Sequence, residues 1–153
     1  MKTKGVNRVH IIVKDLDKAV ALYSELLNTT FYSVDTAVEF GVRAAFSFEA
    51  GIEMASPIPG SDSPMAQSLV QHIEEHGEGL YSVAFSVDDV EQAHAKAKEM
   101  GIWVLYKMEF DPDEINRYFP DKLFSKFTQY VLHPEDAFGV QVILGQYDPA
   151  KDR

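Results

Sequence analysis

Arg8-Val9-His10-Ile11-Ile12-Val13-Lys14-Asp15-Leu16-Asp17-Lys18-Ala19 returns later in the chain as Ser82-Val83-Ala84-Phe85-Ser86-Val87-Asp88-Asp89-Val90-Glu91-Gln92-Ala93, partly by identity and mostly by residue class. Each copy alternates like a strand, meets an acidic helix cap and runs into an amphipathic helix. A repeat of this length implies two related halves. Duplicated strands that share a core can enclose a cavity, and cavities are where ligands bind.

Working outward, residues 7–13 read as a strand. Asp15 or Asp17 opens a helix with the stripe Leu16, Ala19, Val20, Tyr23, Leu26 and Leu27, and Asn28 stops it. Segments 30–35, 40–48 and 51–56 read as strands. Ser63 caps a short helix with Pro64 at its first position and Gly77 at its end. Segment 80–87 is the second copy of the first strand. Helix 89–100 follows, striped by Val90, Ala93, Ala97 and Met100 and stopped by Gly101. Further strands fall near 102–106, 126–132 and 138–145. The expected fold is α+β, one domain over 1–153. Two tandem βαβββ modules, 5–57 and 79–147, form a curved mixed sheet around a cavity, joined by a 58–78 linker with a short helix.

Strand parity assigns faces. Val9, Ile11 and Val13 share one face with Ile52 and Met54, and Val83, Phe85 and Val87 share one with Val140, Val142 and Leu144. These should pack under the helices. The opposite faces alternate polar and small groups: Arg8, His10 and Ile12; Glu53 and Ala55; Ser82, Ala84 and Ser86; Gln141, Ile143 and Gly145. Such faces line a cavity or are solvated.

Composition excludes several classes. The chain has 153 residues, which suits one domain. It has no cysteine, so it has no disulfide, thiol nucleophile or thiolate metal site. A net charge of −10 disfavours nucleic acid and anionic membranes. No apolar run suffices to span a bilayer, and the polar start Met1-Lys2-Thr3-Lys4 is not a signal peptide, so a cytoplasmic location is expected.

The element order resembles the vicinal oxygen chelate superfamily, which includes glyoxalase I, methylmalonyl-CoA epimerase, extradiol dioxygenases and bleomycin-resistance proteins. The stretches Ile52-Glu53-Met54-Ala55-Ser56-Pro57, Asp62-Ser63-Pro64-Met65-Ala66, Gly79-Leu80 to Asp88-Asp89-Val90, and His133-Pro134 with Gly139-Val140 are most similar to its epimerase and glyoxalase branch. The resemblance implies four metal-ligand slots, usually His or Gln, Glu or Gln, His, and Glu. Carried over, they fall on Arg8, Glu53, Ser82 and Ile143. The internal repeat agrees independently, since Arg8 and Ser82 are equivalent in the two copies.

Arginine is a permanent cation without a lone pair, and isoleucine has no ligand atom. One carboxylate and one hydroxyl do not hold a divalent ion tightly. No metal and no other cofactor is therefore expected. A register-shifted set of His10, Glu53 and Gln141 is the metal-binding alternative. In the metal-free reading Arg8 takes the ion's place and pairs with Glu53, either as a structural salt bridge or as a binding group for a substrate carboxylate or enolate. Glu53 and His10 are then the catalytic candidates for moving a proton. A lone strand histidine is also an ordinary hydrogen-bonded core residue.

His72-Ile73-Glu74-Glu75-His76 matches a metalloprotease pattern, but it ends at once in Gly77 and reads as a polar helix end. Segment 106–127 carries Tyr106, Phe110, Tyr118, Phe119, Phe124 and Phe127, with Pro112 and Pro120. It reads as a long irregular lid, dimer contact or edge cover. Arg8, Ser82, Gln141, Phe119 and Phe124 are the candidate substrate-binding residues. The expected partner is a small molecule, and the expected assembly is a homodimer. The leading function is a metal-independent isomerase or lyase. The alternatives are a non-catalytic binder of a small aromatic compound, as in the antibiotic-resistance members, and a metal-dependent epimerase or glyoxalase using shifted ligands.

Overall fold

The computed structural model describes residues 1–119 and 122–150. In chain order the elements are β1 Thr3–Ile12, α1 Leu16–Leu27, β2 Tyr32–Ser33, a 3-10 helix Asp35–Phe40, β3 Val42–Ser47, β4 Ile52–Pro57, α2 Pro64–His76 and β5 Gly79–Val87. They continue as α3 Val90–Glu99, β6 Val104–Phe110, α4 Pro112–Tyr118, β7 Phe124–Leu132, a second 3-10 turn Pro134–Ala137, and β8 Gln141–Pro149. The two βαβββ modules are β1-α1-β2-β3-β4 and β5-α3-β6-β7-β8. Compactness divides the chain slightly differently. One unit is Arg8–Tyr81; the other joins Met1–Asn7 to the chain from Ser82 onward.

In the Arg8–Tyr81 unit the strand order is β2-β3-β4-β1, with β3 antiparallel to β4 and β1 parallel to it. The other unit repeats that pattern as β6-β7-β8-β5. The repeated caps set the two equivalent helices. Asp15 accepts from the Lys18 amide and Asp89 from the Gln92 amide, at 3.1 and 3.0 Å, so each first turn has an acceptor for an otherwise orphan donor. Asn28 closes α1 in the left-handed region. As expected, Ser63 caps α2 with Pro64 at its start, and Gly77 follows its end.

The apolar faces pack as the alternation requires. Val9, Ile11, Val13, Ile52 and Met54 bury against Leu16, Ala19, Val20 and Tyr23 of α1. Val87 and Leu144 pack with Val90 and Ala93 of α3. Val140 is a correction: it precedes β8 and stands exposed. Leu26 and Leu27, in the last turn of α1, and Met100, just after α3, are exposed too.

Three segments differ from expectation. The 30–35 strand shrinks to two residues, because the chain turns into a 3-10 helix at Asp35. Helix α2 is a packed element. Its Leu69, Met65 and Ile73 cover Ile12, Val42, Ala44 and Ala55, so this half of the mixed face is filled. Segment 106–127 is not an irregular insertion. Strand β6 runs on to Phe110, and Asp111 and Glu114 then form a reciprocal capping box around α4, with Pro112 at its first position. Pro120 lies outside the described residues.

Gly145 supports the aromatic end of the second unit. A Cβ there would collide with the Tyr147 ring, which covers it and donates its hydroxyl to Gln129 Oε1 at 2.8 Å. Gly145→Ala must displace a ring that is itself packed against Phe127. The expected cost is about 1–3 kcal/mol by overpacking, read as a lower denaturation midpoint at unchanged slope.

Candidate active site

The site begins with parallel pairing of β1 and β4, which sets His10 beside Glu53. Parity puts Arg8 on the same face two residues earlier. Arg8 Nε donates to Glu53 Oε2 at 2.9 Å, and His10 Nε2 lies against the same oxygen, a contact that is an ion pair only when the imidazole is protonated. Arg8 is 1% exposed, while the His10 and Glu53 side chains keep 18% and 16%. The cluster is therefore desolvated on the arginine side and reachable on the other.

Antiparallel pairing of β3 and β4 brings in an aromatic group that the sequence reading missed. Phe46 stands opposite Glu53 in register. The Arg8 Cζ lies 5.5 Å from its ring centroid, and Phe48 stacks on it at 5.2 Å. The signal was present, because Ala44, Phe46 and Phe48 share one strand parity.

Burial alone would raise the Glu53 carboxyl. The nearby His10 and Arg8 charges and their bonds outweigh that and hold it at about 2. A carboxyl depressed in the folded state stabilises the fold fully above its ordinary value of 4.5, and that contribution is lost as pH falls toward 2. Wild-type stability should therefore drop between about pH 4.5 and 2. A Glu53→Gln variant should lack this part of the acid dependence, which denaturation curves at pH 5 and pH 3 compare directly.

The divalent ion implied by the resemblance does not fit these residues. At the position the resemblance gives to the first ligand stands a guanidinium without a lone pair, bonded to Glu53, and Glu53 Oε2 already serves both Arg8 and His10. Ile143, in the fourth slot, is buried and packs with Ala84 and Val131. Among the described residues no three His, Cys, Asp or Glu side chains cluster as a metal site. His72 and His76 lie with ring centroids 4.8 Å apart and tilted to each other, and His72 meets Tyr81 edge-on, as a polar helix end would.

In the other unit, Ser82 pairs in register with Gln141. Ser82 is 2% exposed, and its hydroxyl finds no partner among the described residues. Such a group needs a water or ligand oxygen. Phe119 and Phe124, candidate substrate-binding residues, join Phe110 and Phe127 in an aromatic cluster. Phe119 is 4% exposed. The physical reason is α4, which folds it inward. A separate groove of ≈ 590 Å³, lined by His94, Lys98, Trp103, Val104, Lys107 and Tyr130, contains none of the expected site residues.

No helix among the described residues is long and apolar enough to cross a membrane. The chain is 30% identical to the mitochondrial methylmalonyl-CoA epimerase of Bos taurus over 143 residues, 92% of this chain and 73% of that protein. A solved methylmalonyl-CoA epimerase from Mycobacterium tuberculosis matches with a TM-score of 0.70 at 21% identity, covering 96% of this chain and 90% of that one. The Streptomyces coelicolor epimerase, solved with 2-nitronate-propionyl-CoA, matches at 0.68 and 22%, covering 95% and 99%. Residues 7–119 fit the profile of one family, and the chain belongs to that family, the Glyoxalase/Bleomycin resistance protein/Dioxygenase superfamily.

Proposed function

We propose that this protein is a metal-independent isomerase or lyase that moves a proton beside a carbonyl of a small acyl compound. The observation that carries the reading is Arg8, a buried permanent cation bonded to Glu53, at the position where the resemblance implies a metal ligand. The relatives solved with methylmalonyl-CoA or a nitronate analogue support an acyl thioester as the first substrate class to test.

The roles follow from basicity. A carboxyl held at about 2 is a weak base near neutral pH. Glu53 is therefore better suited to orienting His10 than to taking the proton itself. A neutral imidazole carries one nitrogen lone pair that can take a proton. With Nε2 turned to Glu53, His10 Nδ1 accepts the carbon-bound proton. The electron pair moves onto the carbonyl oxygen, and the Arg8 guanidinium stabilises that enolate. Return of the proton to the same face only regenerates the substrate, so isomerisation requires the enolate to turn over before Nδ1 returns the proton to the opposite face of that carbon.

The test is deuterium incorporation. Methylmalonyl-CoA and a panel of acyl thioesters and 2-keto acids are incubated with enzyme in D2O containing chelator, and NMR reads the carbon beside the carbonyl. Exchange that His10→Gln abolishes supports the reading. Exchange that appears only with added divalent metal, or persists in His10→Gln, overturns it. A second reading, a non-catalytic binder, is favoured by the same saturation of Glu53 by two partners. Binding without exchange would select it.

A further inference from the structure

We infer that His72 and His76, in the last turns of α2, are a chelating pair for a divalent transition-metal ion, copper(II) foremost. The pair takes no part in the proton transfer proposed above and stands independently of it. Residues four apart lie on one face of an α-helix, one above the other, and both histidines fall inside α2. Their ring centroids are 4.8 Å apart, with 38° between planes. A ring nitrogen sits about 1.2 Å from its ring centre and bonds a metal at about 2.0 Å, so each centre lies about 3.2 Å from the ion. Two rings on one ion are then about 4.5 Å apart at a square-planar right angle and about 5.2 Å apart at the tetrahedral angle. The observed separation falls between these values.

The ring nitrogens are also available. Among the described residues no hydrogen bond engages a ring nitrogen of His72 or His76. His72 meets Tyr81 edge-on, and Glu75 Oε2 lies 3.8 Å from His76 Nε2. By contrast, His133 Nδ1 accepts the Glu135 amide at 3.2 Å, and His10 lies against Glu53. The His76 side chain is 63% exposed, so an ion reaches it from solvent. A helix C-terminus favours a cation, and Glu74, Glu75 and Glu78 flank the pair in a chain of net charge −10. Imidazole suits copper, nickel and zinc, and copper(II) stands highest in affinity order. Calcium and magnesium take oxygen ligands and do not suit it. Two protein ligands leave the other positions to water, so the ion exchanges with buffer and dialysis strips it. Bound, it bridges the last turn of α2, whose Leu69 and Ile73 cover the core of the Arg8–Tyr81 unit.

The experiment titrates copper(II) chloride into the whole chain without substrate. Electron paramagnetic resonance counts the coordinating nitrogens, and NMR follows the histidine ring signals. One copper per chain on two nitrogens is expected, with the His72 and His76 signals broadened before those of His10, His94 and His133. His72→Gln and His76→Gln should each weaken binding tenfold or more, on the order expected when a chelate is reduced to one imidazole. Copper should also raise the melting temperature of wild type but not of either variant. No stoichiometric binding, broadening of His10 first, a loss of less than tenfold in folded His76→Gln, or an equal loss in His133→Gln each overturns the inference. Should His72→Gln fail to fold, the exposed His76 decides alone. Because no substrate is present, failure of the proton-transfer reading in D2O leaves this outcome untouched.

Discussion

Glu53→Gln lowers stability by about 3 kcal/mol, because it takes the Glu53 counter-charge away from a buried guanidinium. Glutamine still offers Arg8 an acceptor of nearly the same shape, so the loss is of charge rather than of packing. Arg8 is 1% exposed and has little water to turn to. Chemical denaturation measures the change, with Glu25→Gln on the exposed face of α1 as a control expected within about 0.5 kcal/mol of wild type. Replacing Arg8 and Glu53 together with methionine should cost much less than the single change, since neither desolvated charge then remains. A Glu53→Gln protein as stable as wild type would contradict the claim that Arg8 depends on the Glu53 charge.

Phe119→Ala is expected to cost about 3–5 kcal/mol, the range for a large ring removed from a packed core. Phe119 touches Phe110, Phe124 and Phe127 within one aromatic cluster. For a chain of this size the melting temperature should fall by roughly 10 °C. Phe138, fully exposed at the end of the second 3-10 turn, is the matched control, and Phe138→Ala should change melting by little. The outcome also decides what segment 106–127 is. A lid would lose ligand affinity at constant melting temperature, whereas core cover loses stability first.

The contrast between these two regions shows which parts of the molecule its sequence disclosed. The repeated strand-cap-helix unit was readable because Asp15 and Asp89 act locally, through bonds to amides three residues on. Strand parity likewise placed Arg8, His10 and Glu53 on one face without any tertiary information. Segment 106–127 reads as irregular from its aromatic residues and its two prolines, yet Pro112 opens a helix. At the first position of a helix, after Asp111 and with Glu114 completing the box, proline is a start signal. Phe46 was missed for a different reason. Its relevance depends on the β3–β4 register, which places it opposite Glu53, and register is a pairing property that one strand alone does not carry.

The central claim is that the Arg8–Glu53 pair stands where a metal would otherwise supply charge. Elemental analysis of the purified protein, after dialysis against divalent ions and then buffer, tests it most directly. The account predicts far less than one equivalent of nickel, cobalt, zinc or iron per chain. About one tightly retained equivalent of any of them would contradict it.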